Sequence, residues 1–185
     1  FFGHIGHMVR NTCRAIVLSV TRARFTRIGA GSALPRYAQK LAWASAAFAI
    51  TADIAMGPLG GKLKFREKLT GRYADILSWM FLIASVLRRF EAEGRRRDHL
   101  PFVHYAVRHG FGEIQKGFEG IFSNLDVPGL GWLFKYVIGF WCRLNPFATA
   151  PEDHIGGAIA RAMMTPGSVR DSMTQGVFHS NESTN

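Results

Sequence analysis

LTGRYADILSWMFLIASVLRRF (69–90) is the stretch that decides the fold. Leu69, Tyr73, Ile76, Met80, Ile83, Leu87 and Phe90 recur at a 4-3-4-3-4-3 spacing. That period brings all seven side chains onto one side of an α-helix, as a seam that packs lengthwise on other helices. Leu77, Phe81 and Ala84 widen the stripe, so most of this helix is expected to be covered.

Moving toward the C-terminus, EAEGRRRDHLP (91–101) holds Gly94, a helix stop, and Pro101, suited to the first turn of the next helix. That helix, Leu100 to Leu125, carries Val103, Val107, Phe111, Ile114, Phe118, Ile121 and Leu125 at the same period, and DVPGLG (126–131) breaks it. GWLFKYVIGFWCRLNPF (131–147) is apolar on nearly every side, with Lys135, Gly139 and Arg143 as a narrow stripe. Its aromatics and cations suit a membrane interface or burial between subunits, and the narrowness of the stripe favours the subunit reading. Pro151, Glu152 and Asp153 open a short helix, and TPG (165–167) starts one more turn.

Toward the N-terminus, a helix is expected over Gly3 to Phe25, then the loop GAGSALP (29–35), then an Ala-rich helix from Arg36 to Met56. The run Leu41 to Met56 holds one acid, Asp53, and is shorter than the roughly 20 apolar residues a membrane span needs. It reads as a core helix. No alternating strand pattern and no internal repeat occurs, so the fold class is all-α.

The 185 residues are enough for one domain with a sizeable core; 48% are apolar, which excludes a disordered chain. The net charge of +10 is uneven: no acid precedes Asp53, whereas Arg10, Arg14, Arg22, Arg24, Arg27, Arg36 and Lys40 do. Such a field favours anionic partners: nucleic acid, anionic lipid or a phosphate-bearing ligand. Cys13 and Cys142 have no metal-ligand spacing, which points to a reduced, cytoplasmic setting. The chain opens on Phe1 within a helical pattern and ends in HSNESTN (179–185), so it is expected to be a piece of a longer protein.

GPLGGKLKFREKLTGRYAD (57–75) is the first candidate site. A phosphate loop needs G-x-x-x-x-G-K-[ST]; counting from Gly57 puts Lys62 where the second glycine belongs, and Leu63 follows it. The phosphate-loop reading fails. Gly57 and Pro58 read as the stop of the preceding helix, with Gly60 and Gly61 allowing two helices to approach. Lys62, Lys64, Arg66, Lys68 and Arg72 stand where cations oppose the helix dipole, which points to an anionic docking surface, against a merely solvated basic face. The histidines His4, His7, His99, His104 and His109 lack partner ligands at helical spacing and read as ordinary side chains. Glu91, Glu93, Glu113 and Glu119 would make an acid–base pair only if folding joined them. No G-x-S-x-G elbow and no nucleic-acid-binding pattern occurs, and the aromatics fall on buried faces away from the lysines, which speaks against nucleic acid.

ADIAMGPLGGKLKFREKLTGRYADILSWMFLIASVLRRFEAEGR (52–95) resembles the C-terminal region of bacterial-type long-chain acyl-coenzyme A dehydrogenases. Its hallmark is LGGKLK, a basic-acidic-basic turn, then LTGR-x-x-D-x-L-S. GHIGHMVRN (3–11), HLPFVHYA (99–106), GEIQKGFEGIFSNL (112–125), GLGWLF (129–134), RLNP (143–146) and PGSVRDSMTQGVF (166–178) extend the likeness over essentially the whole chain. The resemblance implies one C-terminal helical domain over 1–185, truncated at both ends, of a larger flavoenzyme. The complete enzyme would bind FAD and fatty acyl-CoA. A glutamate base would take the α-proton while the β-hydrogen passes as hydride to flavin N5, giving a trans-2-enoyl-CoA in fatty-acid β-oxidation. Family order puts that glutamate, and most of the flavin and acyl-chain pocket, upstream of Phe1, so no catalytic residue is assigned here. The implied partners are the acyl-CoA, an electron acceptor, a second subunit in a homo-oligomer and the inner face of the membrane as a peripheral contact. The alternative is a standalone basic helical module for membrane surfaces or protein partners, without enzymatic activity.

Overall fold

The computed structural model describes residues 2–28, 32–125, 129, 131–148 and 150–177. GAG of the first loop, most of DVPGLG, HSNESTN and the side chains of His4 and His7 lie outside the described set. The described chain is all-α. Its helices are α1 (Phe2–Val20), α2 (Pro35–Leu59), α3 (Glu67–Ala92), α4 (Leu100–Asn124), α5 (Gly139–Leu144), α6 (Asp153–Met164) and α7 (Ser168–Thr174). A 3₁₀ segment, Gly60–Phe65, links α2 to α3, and a π-helical segment, Leu133–Ile138, runs directly into α5.

The antiparallel pair α3–α4 is the spine. Leu69, Tyr73, Ile76, Met80, Ile83 and Phe90 of the expected seam are buried, and Leu87 packs against them at the edge. From α4, Val103, Val107, Phe111, Ile114, Phe118 and Ile121 meet them, with Leu125 closing the end. Fully burying such side chains contributes about 1.5–3 kcal/mol each. The helices approach closely because α4 presents glycine: a Cβ added at Gly117 would lie 2.5 Å from Ile76 Cγ1, and one at Gly110 would lie 2.9 Å from Ile83 Cγ1.

Buried hydrogen bonds fix the other elements to this spine. Tyr73 donates its hydroxyl to the Thr51 carbonyl (2.8 Å), tying α3 to α2. Gln115 Nε2 donates to the Cys142 carbonyl (3.1 Å) and its Oε1 accepts from the Phe147 N–H (3.2 Å), tying the C-terminal segment to α4. His99 is buried at the α3–α4 junction, 3.3 Å from Glu93 and 2.9 Å from the Ser172 hydroxyl of α7. Arg108 pairs with Glu152 at 2.9 Å, holding the start of α6 on α4.

Four sequence expectations change. The first helix stops at Val20, not Phe25, because Arg22 and Ala23 turn into the left-handed region (φ 51° and 56°) and the Ala23 N–H bonds to the Leu18 carbonyl. Gly57 and Pro58 lie inside the last turn of α2; the stop is Gly60 (φ 47°), whose N–H returns to Met56. Gly60 and Gly61 have open space where a Cβ would go, so the close approach belongs to α4 instead. Leu77 and Phe81 are 55% and 71% exposed, so the outer face of α3 is uncovered: one layer of helices packs on its inner seam only. The Ala-rich α2 is a core helix as expected, with Trp43, Ala44, Ala46 and Ala55 buried. Among the described residues, no helix is long and apolar enough to cross a membrane.

Candidate functional site

Where α1 and α2 lean away from the C-terminal segment, the packing leaves an open groove of about 600 Å³. Its walls are Ala15, Ile16 and Val20 of α1, Trp43, Ala47, Ile50 and Ile54 of α2, Phe118 and Phe122 of α4, and Leu133, Phe134, Ile138, Trp141 and Phe147 beyond. The size falls in the ~300–1,000 Å³ range of small-molecule sites. Trp43 meets Phe147 in the wall as a tilted ring pair, centroids 4.2 Å apart.

The few polar groups in the wall are already engaged. Trp141 Nε1 donates to Ser19 Oγ (2.8 Å), Asn145 Nδ2 donates to the Ser19 carbonyl (2.7 Å), and the Thr51 hydroxyl donates to the Ala47 carbonyl (2.8 Å). The Cys142 thiol, at the groove wall, is pushed up to about 11 by burial. Such a thiol is protonated at neutral pH and is no nucleophile.

Three cations gather beside the Asn145–Phe147 segment, none of them among the residues lining the groove. Arg22 Nε donates to Asn145 Oδ1 (2.6 Å), Lys40 Nζ donates to the Phe147 carbonyl (2.6 Å), and Arg36 donates to the Arg22 carbonyl (2.7 Å). Burial lowers the Lys40 pKa, and Arg36, Arg108 and Arg22 lower it further by repulsion. The Arg36 pKa is lowered by burial and by Arg24 and Arg22. The acid-free stretch before Asp53 is visible in the sequence, but this cluster is not. Its members are 123 and 107 positions from the wall residues they touch, beyond the reach of any local pattern.

The expected docking residues lie on another face. Lys62 and Lys64 sit on the 3₁₀ segment, Arg66 at the break before α3, and Lys68 in its first turn, all exposed. Lys64 Nζ lies 4.9 Å over the Phe65 ring. Arg72 is half-buried, its Nε only 2.6 Å from where a Gly120 Cβ would be, so its stem lies across α4. None of these five makes an ion pair among the described residues. Around the π-helical segment and α5, Trp132, Tyr136, Phe140 and Trp141 are exposed beside Lys135 and Arg143.

The acidic candidates do not converge. Glu91 pairs with Arg88, Glu93 with Arg89 and His99, and Glu113 with Lys116, while Glu119 accepts from Gln115. The Arg89 guanidinium holds the Glu93 carboxyl below its usual value, and Lys116 does the same for Glu113. His104 Nδ1 meets the Tyr37 hydroxyl at 2.7 Å, and no metal-holding group of His, Cys, Asp or Glu occurs among the described residues.

No solved structure matches the chain. A family model described as "Acyl-CoA dehydrogenase, C-terminal, bacterial type" matches residues 1–185, the whole sequence. The all-helical fold agrees with this end-to-end match, and the chain belongs to that family of acyl-CoA dehydrogenase C-terminal regions.

Proposed function

We propose that this chain is the C-terminal scaffold of an FAD-dependent dehydrogenase that desaturates long-chain fatty acyl-CoA to the trans-2-enoyl-CoA in β-oxidation, and that it supplies support and contact surface, not the catalytic base. The observation that carries this reading is the family match over the full length. It is supported by the surface pairing of the glutamates: Glu91, Glu93 and Glu113 are engaged by arginine or lysine of their own helices, and none of them lines the groove. FAD does not suit the groove, because a flavin ring and pyrophosphate need many polar partners and those in the wall are engaged within the chain. The flavin and the base are therefore assigned to other parts of the whole protein.

The test is the conversion of palmitoyl-CoA to its enoyl product by the whole protein. Glu91→Gln, Glu93→Gln, Glu113→Gln and Glu119→Gln should each keep the rate within about twofold, whereas losing a general base costs roughly 10²–10⁴. A fall of that size in any of the four would overturn the assignment.

The exposed aromatic face around α5 and the unpaired cations Lys62, Lys64, Arg66 and Lys68, with Arg72 beside them, favour a second reading of the same chain as an interaction module. Anionic lipid at the inner face of the membrane suits both features, and a partner subunit suits the aromatics. Charge reversal at Lys62, Lys64, Arg66 and Lys68 should weaken co-sedimentation with phosphatidylserine vesicles at low salt. Unchanged co-sedimentation would remove the lipid reading.

A further inference from the structure

We propose that Arg22, Arg24 and Arg36, where the turn after α1 meets the first turn of α2, form a binding site for a phosphoryl group. The turn is laced to α2 through its backbone. Arg36 Nη1 donates to the Arg22 carbonyl (2.7 Å), and Gln39 Nε2 donates to the carbonyls of Arg24 (3.2 Å) and Thr26 (3.1 Å). Arg22 Nε donates to the side-chain oxygen of buried Asn145 at 2.6 Å. All these acceptors are neutral. They place the Arg22 and Arg36 guanidinium groups and the Arg24 backbone while neutralising no charge.

Where arginines cluster elsewhere in the fold, carboxylates stand among them: Arg88 and Arg89 face Glu91 and Glu93, and Arg96 faces Asp98. Among the described residues, Arg22, Arg24 and Arg36 pair with no carboxylate. The acid at this end of α2, Glu91, is taken by the Ala33 N–H and Arg88. Burial lowers the Arg36 pKa, and repulsion from Arg24 and Arg22 lowers it further. An anion bound between the three relieves that repulsion. The number of cations selects the group. A carboxylate brings one charge and two oxygens, enough for one guanidinium fork, whereas a phosphate monoester brings about −1.5 to −2 charges at pH 7 and three acceptor oxygens. Arg22 and Arg24 are exposed, so the group reaches them from solvent. Phe25, next to Arg24 in the turn, is 85% exposed and suits the acyl chains behind a lipid headgroup or the organic part of a soluble phosphate ester. The site lies at the opposite end of α2 from Lys62, so it is independent of the lipid reading of that face.

Calorimetric titration of the whole protein with sodium pyrophosphate at constant ionic strength tests the site, and flotation with phosphatidylcholine vesicles carrying phosphatidic acid tests the lipid source. Arg24→Gln with Arg36→Gln should weaken binding of the phosphate source by about tenfold or more. Arg24→Gln alone leaves every hydrogen bond named above in place, because only the Arg24 carbonyl is used, and should weaken it about threefold. Other phosphate sites of the whole protein persist in these variants, so the difference reads this one, and circular dichroism verifies their fold. Lys62→Gln with Lys64→Gln should leave pyrophosphate affinity unchanged. A loss in the pyrophosphate arm assigns a soluble ester; a loss in the flotation arm alone assigns a lipid headgroup. Absence of binding in both arms, or equal binding by wild type and the Arg24→Gln variants, would overturn the proposal. Malonate displacing pyrophosphate at equal concentration would overturn the phosphoryl assignment in favour of a carboxylate.

Discussion

Replacing Gly117 with alanine adds one methyl group at the tightest point between α3 and α4. The new Cβ would lie 2.5 Å from Ile76 Cγ1 and 3.0 Å from Cδ1, so Ile76 must retreat by about 1 Å to reach ordinary contact near 3.4–4 Å. It has nowhere to go: Ile76 is fully buried, and a β-branched side chain in a helix has one strongly preferred χ1 rotamer. Overpacking of this kind costs about 1–3 kcal/mol, and a rigid neighbour puts it near the upper end. Alanine returns about 1 kcal/mol through its better helix propensity. The net loss is about 1–2 kcal/mol, a fall in Tm of roughly 2–8 °C for a chain of this size. Gly112, also within α4, has nothing within 4 Å of its Cβ position, so Gly112→Ala keeps only the helix gain and should raise Tm by about 2–4 °C. Calorimetric or circular-dichroism melts of both variants read the contrast. If Gly117→Ala melts as high as Gly112→Ala, the close approach of α3 and α4 is refuted.

Three further outcomes follow from the same structure. Native protein at pH 8 should take up iodoacetamide at exposed Cys13 only, with Cys142 labelled after unfolding, because burial pushes the Cys142 thiol up to about 11; mass spectrometry of tryptic peptides reads the sites, and rapid native labelling of Cys142 would contradict its burial. Burial and then Arg108 depress the His104 pKa, so below its ordinary value near 6.5 the unfolded chain binds the proton more readily than the folded one. Stability should therefore fall as pH drops from 7.5 toward 5.5, and this fall should shrink in His104→Gln; urea midpoints across that window measure it, and an unchanged slope in the variant would sink the assignment. His99→Ala removes the buried link to Ser172 and Glu93, and should expose α7 to limited proteolysis before the rest of the chain while costing about 1–3 kcal/mol; cleavage at an unchanged rate would show that α7 is held by other contacts.

The α3 and α4 seams were legible because a 3.6-residue period forces same-face side chains together, and Leu69 through Phe90 obeys it without interruption. The outer face of α3 was misread because stripe width reveals which residues are apolar, not how many neighbours exist to cover them. Leu77 and Phe81 stay mostly exposed among the described elements. Gly110, Gly117 and Gly120 look like helix weaknesses in isolation, and only the partner helix shows that Ile83, Ile76 and Arg72 fill the space they leave. The end of α1 had no glycine or proline to announce it; two non-glycine residues at positive φ make the turn, held by the burial of Ala23. The basic run Lys62 to Arg72 was visible as a string of cations, whereas the cluster Arg22, Arg36 and Lys40 exists only because α1, α2 and the Asn145 segment fold together.

The central claim is that this chain supports a flavoenzyme without holding its flavin. Residues 1–185, purified alone, should be colourless, with no oxidised-flavin band near 450 nm before or after incubation with excess FAD and desalting, and should form no enoyl product from palmitoyl-CoA with an acceptor dye. A flavin band that stays with the chain through desalting, or turnover by the chain alone, would contradict the account.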